Sequence, residues 1–130
     1  MAHILYVEDR EDQIEFINDF LPQQGHSVKF ARTIEEAYDM LRGFTRETVP
    51  FDVAITDWNI QNREQETVNS TLIVATLFEL GVPTLIFSGA NPKSAELRLV
   101  MERTGATFVQ KPDLPTLLEK TREMGMRRRL

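Results

Sequence analysis

Residues 51–59, FDVAITDWN, decide how this chain is read. The mostly apolar run Phe51–Thr56 stops directly at a carboxylate, Asp57. Three other short apolar runs stop in the same way, each at a reactive side chain. Ile4–Val7 (ILYV) runs into Glu8 and Asp9, Thr84–Phe87 (TLIF) into Ser88, and Thr107–Gln110 (TFVQ) into Lys111 and Pro112. Runs of this length, rich in Val, Ile and Phe, have the composition of buried strands. As parallel neighbours in one sheet they would align their carboxyl ends along one edge. Three carboxylates, a hydroxyl and an ammonium would then share a cleft, a combination suited to a divalent cation and a phosphoryl group.

The segments between these runs carry helical signals. Gly25, Gly43, Gly81 and Gly105 each follow a helix-like stretch, where a residue free to take positive φ is the expected stop. Thr33 with Glu36 fits a capping box, Asn91 followed by Pro92 a cap before a first-turn proline, and Asp113 a cap for the last helix. Apolar stripes follow: Ile14, Ile17 and Leu21 with Phe16 and Phe20 alongside, then Leu97, Val100 and Met101, then Leu114, Leu117, Leu118 and Thr121. The spacing predicts strands over about 3–7, 27–31, 52–56, 84–88 and 107–110. Helices are predicted over 11–23, 34–42, 70–80, 92–104 and 114–127. Strict alternation requires crossover connections, hence an α/β domain with a doubly wound parallel sheet covered by helices on both faces. In such sheets ligands bind beyond the carboxyl ends of the strands, where the winding direction reverses. Two segments read as loops: 43–50 (GFTRETVP) and the long polar stretch 59–69 (NIQNREQETVN) beside Asp57.

The chain's 130 residues suffice for one domain with its own core and are too few for two, so residues 1–130 are expected to form a single unit. A hydrophobic content of 42% and a charged content of 27% are those of a globular protein. No apolar stretch is long enough to span a membrane, and no secretory signal is evident. The absence of cysteine excludes disulfides and thiolate metal sites and is compatible with a cytoplasmic protein. A net charge of −5 argues against general nucleic-acid binding. The basic cluster Arg127-Arg128-Arg129 reads as cations opposing a helix macrodipole or as a phosphate- or partner-binding tail.

Glu8, Asp9 and Asp57 would crowd negative charge into a small volume, and Mg²⁺ is the natural compensation, being an oxygen-seeking cation that keeps waters a phosphate can replace. Asp9 has a second reading, as a cap for the helix beginning near Glu11. Lys111, restricted to extended backbone by Pro112, offers an ammonium that can pair with a carboxylate at rest and with phosphoryl oxygens later. Pro112 is a candidate for a cis bond. Ser88 adds a directional hydrogen bond, and Gly89 leaves an opening for a phosphodonor.

These motifs, the acidic pair in ILYVEDRE, Asp57 in AITDWN, Ser88 in FSGA and Lys111 in FVQKP, resemble the receiver domain of two-component response regulators, of chemotaxis-regulator type. The resemblance covers essentially the whole chain. It implies a five-stranded flavodoxin-like (βα)5 sandwich in three layers. It implies that Asp57 is the phosphoacceptor, taking a phosphoryl group from a histidine kinase or phosphotransfer protein, with Glu8, Asp9, Asp57 and the backbone carbonyl of Asn59 holding Mg²⁺. Lys111 and Ser88 would bind the phosphoryl oxygens. Phe108 falls where the family keeps an aromatic switch; core packing is its other reading. The switch would remodel the surface made by the helix 92–104, the strand 107–110 and the helix 114–127, which is also the expected face for a downstream protein target or a homodimer. Such a domain catalyses only its own phosphorylation and slow dephosphorylation.

The sequence departs from the family in the loop after Asp57, which lacks the customary proline and glycine. Glu8 stands in place of aspartate, its longer side chain able to reach a metal through water, and Ser88 in place of threonine. His3 and His26 have no metal-like spacing and read as structural. The leading expectation is a stand-alone receiver without an output domain; a fragment of a larger regulator or hybrid kinase would look the same. A receiver-like interaction module that works without phosphorylation is the alternative. An aspartate-dependent phosphatase is disfavoured, because its acid/base aspartate two residues after the nucleophile is Asn59 here. Trp58, adjacent to Asp57, is expected to change fluorescence when Mg²⁺ binds.

Overall fold

A computed structural model of the chain describes residues 2–62, 64 and 66–129, the last two as backbone only. The elements in order are β1 (His3–Val7), α1 (Glu11–Phe20), a 3₁₀ turn (Pro22–Gln24), β2 (Ser27–Ala31), α2 (Ile34–Leu41), β3 (Val53–Thr56), β4 (Asn59–Gln61), β5 (Thr67–Asn69), α3 (Thr71–Glu79), β6 (Thr84–Ser88), α4 (Ala95–Thr104), β7 (Thr107–Gln110) and α5 (Leu114–Arg129). Five strands pair in parallel in the order β2-β1-β3-β6-β7. The winding direction reverses between β1 and β3, so the switch point lies where Glu8, Asp9 and Asp57 emerge.

Side-chain alternation along the strands makes two cores, one on each face of the sheet. Leu5, Val7, Ala54 and Ile86 pack against Ala37 and Leu41 of α2, Ile73 and Leu77 of α3, and Leu97 and Val100 of α4. On the other face, Ile4, Tyr6, Val53, Ile55, Phe87 and Val109 pack against Ile17 and Leu21 from the α1 side and Leu117 and Met124 of α5. The expected five-stranded three-layer architecture is therefore observed. No helix of the described residues is long and apolar enough to cross a membrane.

Some local signals act as read. Thr33 Oγ1 accepts the Glu36 N–H at 3.1 Å, although the Glu36 carboxylate returns to the Arg32 N–H, one residue earlier than in the usual box. Asp113 accepts the Thr116 N–H at 3.2 Å and caps α5. Others act differently. Helix α1 ends at Phe20, and Phe16 is 52% exposed, stacked on Phe20 at the surface rather than joining the buried stripe. Helix α4 begins at Ala95, not 92: Asn91 spends its side chain on the Lys93 N–H at 2.9 Å and its carbonyl on the Ser94 N–H, closing a turn before the helix. Near the end of α5, Gly125 lets the helix settle on the sheet, since a Cβ there would lie 2.9 Å from the Ala2 Cβ. Within the basic cluster, Arg127 lies close to the end of α5, while the side chains of Arg128 and Arg129 lie outside the described residues.

The segment 59–69 is not the structureless loop expected. Strands β4 and β5 pair antiparallel, Ile60 opposite Val68, as a separate two-stranded hairpin. Ile60 is fully buried in the core shared with α3, and Val68 packs against the same core. Arg63 and Gln65 lie outside the described residues.

Candidate phosphoacceptor site

Extending the alternation one step past each strand end explains the site. Tyr6, Ile55 and Val109 share one core, so Glu8, Asp57 and Lys111, each two residues further on, continue on that same face. The register sets Val7 beside Thr56, which brings positions 8 and 57 level. There the Lys111 Nζ donates to Glu8 Oε1 and to Asp57 Oδ2, each at 2.8 Å. The other oxygens are also occupied. Glu8 Oε2 accepts the Asp9 N–H at 3.2 Å, and Asp57 Oδ1 accepts the Trp58 N–H at 2.7 Å.

The three side chains differ in access to solvent. Glu8 is fully buried, whereas Asp57 retains 14% and Lys111 18% of their side-chain exposure. Burial raises the Glu8 carboxyl above its ordinary value, against the opposing pull of the Lys111 ammonium. For Lys111 burial alone would act downward, but its bonds to Asp57 and Glu8 prevail and hold it above the ordinary lysine value. The Lys111 Nζ also lies 5.8 Å from the centre of the Phe87 ring, a contact the sequence did not suggest. The Lys111–Pro112 bond is cis.

Asp9 does not cap α1. Arg10 occupies the cap position without a side-chain bond, and Asp9 Oδ2 instead accepts the Gln61 N–H of the hairpin at 3.2 Å. The ladder explains why that N–H is available. The Ser70 N–H reaches the Trp58 carbonyl and the Asn62 N–H the Glu66 carbonyl, so 58/70 and 62/66 are bonded pairs. Asn59 and Gln61 occupy the non-bonded pairs between them, and their backbone groups point away from β5. The Asn59 carbonyl therefore faces the same side as the Gln61 N–H that meets Asp9.

Ser88 closes β6 on the opposite register, with Ile86, and Ile86 pairs with Phe108. Its hydroxyl accepts the Ala90 N–H at 3.2 Å, and its carbonyl accepts the Lys111 N–H at 3.0 Å. Phe108 is partly buried against the core beneath α4. Gly89 is exposed with open space where a Cβ would stand. Of the two histidines, His26 accepts the Ala2 N–H at 3.2 Å, a structural task, and His3 is exposed.

Among the described residues no three acidic or imidazole side chains form a metal cage. Glu8 turns to Lys111, and the oxygen groups that could serve a cation are then the carboxylates of Asp9 and, on releasing Lys111, Asp57, with the Asn59 carbonyl on the hairpin side. That all-oxygen set fits a hard divalent cation that retains waters. A cavity of about 510 Å³ lies at the opposite edge of the sheet, among Arg46, Phe78, Gly81, Thr104 and Arg127. It receives the carbonyl ends of α3 and α4, which suits its arginines, and none of the strand-end residues lines it.

Three residues near the site escaped the sequence reading. Thr56 and Ser70 are buried hydroxyls on the carbonyls that follow the nucleophile position. Tyr6 is 1% exposed, and among the described residues its hydroxyl is a buried polar atom without a hydrogen-bond partner. Burial, followed by the charges of Glu8 and Asp57, pushes its ionisation far upward.

No protein-family model and no curated protein matches the chain. Solved structures do. A CheY-like response regulator receiver domain protein from Methanospirillum hungatei superposes with a TM-score of 0.79 at 22% identity, over 99% of this chain and 97% of that one. The non-phosphorylated HemR receiver domain from Leptospira biflexa gives 0.77 at 26% identity, over 96% and 94%. A response regulator protein from Burkholderia pseudomallei with a phosphorylated aspartic acid, calcium ion and citrate gives 0.71 at 19% identity, over 91% of this chain and 65% of that one. The fold is that of response-regulator receiver domains, over essentially the whole chain.

Proposed function

We propose that the protein is the phosphoacceptor of a two-component or phosphorelay system, with Asp57 as the nucleophile. The observation that carries this reading is the Lys111 ammonium, 2.8 Å from both Asp57 and Glu8 at the switch point of the sheet. A carboxylate oxygen of Asp57 attacks phosphorus, the P–N bond of a phosphohistidine breaks, and the imidazole leaves with its electron pair and takes up a proton. The product is an acyl phosphate, a covalent intermediate of high transfer potential. Lys111 exchanges its carboxylate partners for phosphoryl oxygens, and the Ser88 hydroxyl leaves the Ala90 N–H to donate to another.

Asp9, Asp57 and the Asn59 carbonyl would hold Mg²⁺, with Glu8 reaching it through water, and the ion would supply charge neutralisation at the transferring group. The calcium ion and phosphorylated aspartic acid of the Burkholderia relative support that pairing of groups. The protein catalyses its own phosphorylation and slow dephosphorylation and turns over no other substrate. Its partners are a cytoplasmic histidine kinase or phosphotransfer protein and a downstream protein. The output surface is α4–β7–α5, switched by Ser88 and Phe108 on one face of the sheet, and it is also the face for any homodimer. Incubation with Mg²⁺ and acetyl phosphate followed by intact mass tests the reading. A single phosphoryl adduct that Asp57→Asn abolishes is expected; no adduct from acetyl phosphate or a phosphohistidine donor overturns it.

A further inference from the structure

Ser70 occupies the cap position of α3 and does not cap it. The Asn69 side chain accepts the Thr71 N–H instead, at 3.1 Å. The Ser70 hydroxyl turns back, fully buried, onto the carbonyls of Asp57 and Trp58, the latter at 2.9 Å. The Ser70 N–H reaches the same Trp58 carbonyl at 2.8 Å. Thr56, also fully buried, donates to the Asp57 carbonyl at 2.9 Å, and its oxygen stands 3.3 Å from that of Ser70. With Thr56 donating to the Asp57 carbonyl, the Ser70 hydrogen can go to either carbonyl and both stay bonded, because the Ser70 N–H already serves that of Trp58.

Peptide planarity turns these contacts into a constraint on the chemistry. The Asp57 carbonyl and the Trp58 N–H belong to one rigid plane, and that N–H is the one bonded to Asp57 Oδ1 at 2.7 Å. The Trp58 carbonyl belongs to the next plane, whose far end is Asn59. Holding both carbonyls therefore orients the Asp57 carboxylate from behind and fixes where the Asn59 Cα begins the hairpin; the Asn59 carbonyl lies in the following plane and takes its direction from the β4–β5 ladder. A cap whose only task was the helix would point its oxygen at the N–H groups of α3.

We propose that Ser70, with Thr56, is a positioning residue for the Asp57 site, its hydroxyl locking two consecutive peptide planes so that the Asp57 carboxylate and the start of the hairpin that carries the Asn59 carbonyl keep one fixed arrangement toward a divalent cation. The inference rests on the phosphoacceptor reading, which it extends to residues that touch neither metal nor phosphoryl group. Ser70 acts through the backbone, so its substitution weakens cation binding as well as the rate.

The test uses the whole chain with Ser70→Ala, Thr56→Val and Thr56→Ser. Two quantities are read: the Mg²⁺ midpoint from Trp58 fluorescence, and the rate of adduct formation with acetyl phosphate at saturating Mg²⁺. Ser70→Ala and Thr56→Val are expected to raise the midpoint about fivefold or more and to slow the saturated rate by a similar factor. Thr56→Ser, which keeps the hydroxyl, restores both. A lowered melting temperature with midpoint and rate within twofold of wild type makes the clamp purely structural and overturns the proposal. Should Ser70→Ala fail to fold, the Thr56 pair decides by the same criterion. A wild-type chain that responds to Mg²⁺ but forms no adduct removes the phosphoacceptor reading alone, and the midpoints still judge the clamp; one that does neither overturns both.

Discussion

The Lys111 Nζ lies 2.8 Å from Glu8 Oε1, joining the ends of β7 and β1 across the two intervening strands β3 and β6. Glu8 is fully buried, so this bond decides whether it is tolerable as a charge. Removing one partner of a buried pair costs more than the pair itself contributes, because the survivor is left uncompensated. Lys111→Met is therefore expected to lose about 3–5 kcal/mol at pH 7. The loss is expected to be smaller at pH 5 than at pH 7, because burial raises Glu8 above the ordinary 4.5 and it takes up a proton more readily than an exposed glutamate. Lys111→Met/Glu8→Gln should recover most of the stability. Urea unfolding of the four chains at both pH values measures this, and an additive cycle would mean that the two groups do not share their charge.

The same bond has an alkaline limb. Lys111 is held above the ordinary lysine value of 10.5, so the folded state binds its proton more tightly than the unfolded state does. Its stabilising contribution is then complete below that value and is lost as pH rises through the higher folded one. Thermal melts from pH 9 upward should show wild type losing more than Lys111→Met does. Parallel decline in the two would place the loss elsewhere.

The five strands of the main sheet and the glycine stops at 25, 43, 81 and 105, all of which take positive φ, were legible because each rests on a local rule that nothing distant overrides. Strand ends at Glu8, Asp57 and Lys111 were legible for the same reason, since a charge closing an apolar run marks the edge of a sheet. The hairpin was not. Its two strands contribute one apolar side chain each, Ile60 and Val68, so alternation had nothing to repeat. Asn91 misled because the same side chain can cap a helix or close a turn two residues on, and only tertiary packing chooses. Thr56 and Ser70 left no trace, since a hydroxyl that works through backbone carbonyls has no partner pattern in sequence.

Gly125 shows packing overriding propensity. Alanine in a helix is normally favoured over glycine by about 1 kcal/mol. Here its Cβ would stand 2.9 Å from the Ala2 Cβ, closer than the two carbons can approach. Overpacking typically costs about 1–3 kcal/mol, so Gly125→Ala is expected to destabilise by about 1 kcal/mol once the helix gain is subtracted. Ala2→Gly in the same chain removes the opposing methyl and should bring the double variant back to wild type or above. Stabilisation by Gly125→Ala alone, read from the urea midpoint, would show that β1 yields at its start.

The Tyr6 hydroxyl is the counterpart of Glu8 on the same strand face, equally buried but without a hydrogen-bond partner among the described residues. Its ring stands 5.6 Å from that of Phe30, centre to centre, and packs in the core with Ile17 and Leu117, so the aromatic body gains from burial that the hydroxyl offsets. An unsatisfied buried hydroxyl costs about 1–3 kcal/mol, and deleting it without changing the ring removes that cost. Tyr6→Phe is expected to raise stability by about 1 kcal/mol at neutral pH. It should also leave the Lys111–Glu8 coupling energy unchanged, because no bond joins Tyr6 to that pair. Chemical denaturation of Tyr6→Phe, alone and in the Lys111→Met background, reads both quantities. A loss of stability, or a coupling that changes with the hydroxyl, would mean that Tyr6 donates to the buried carboxylate in solution.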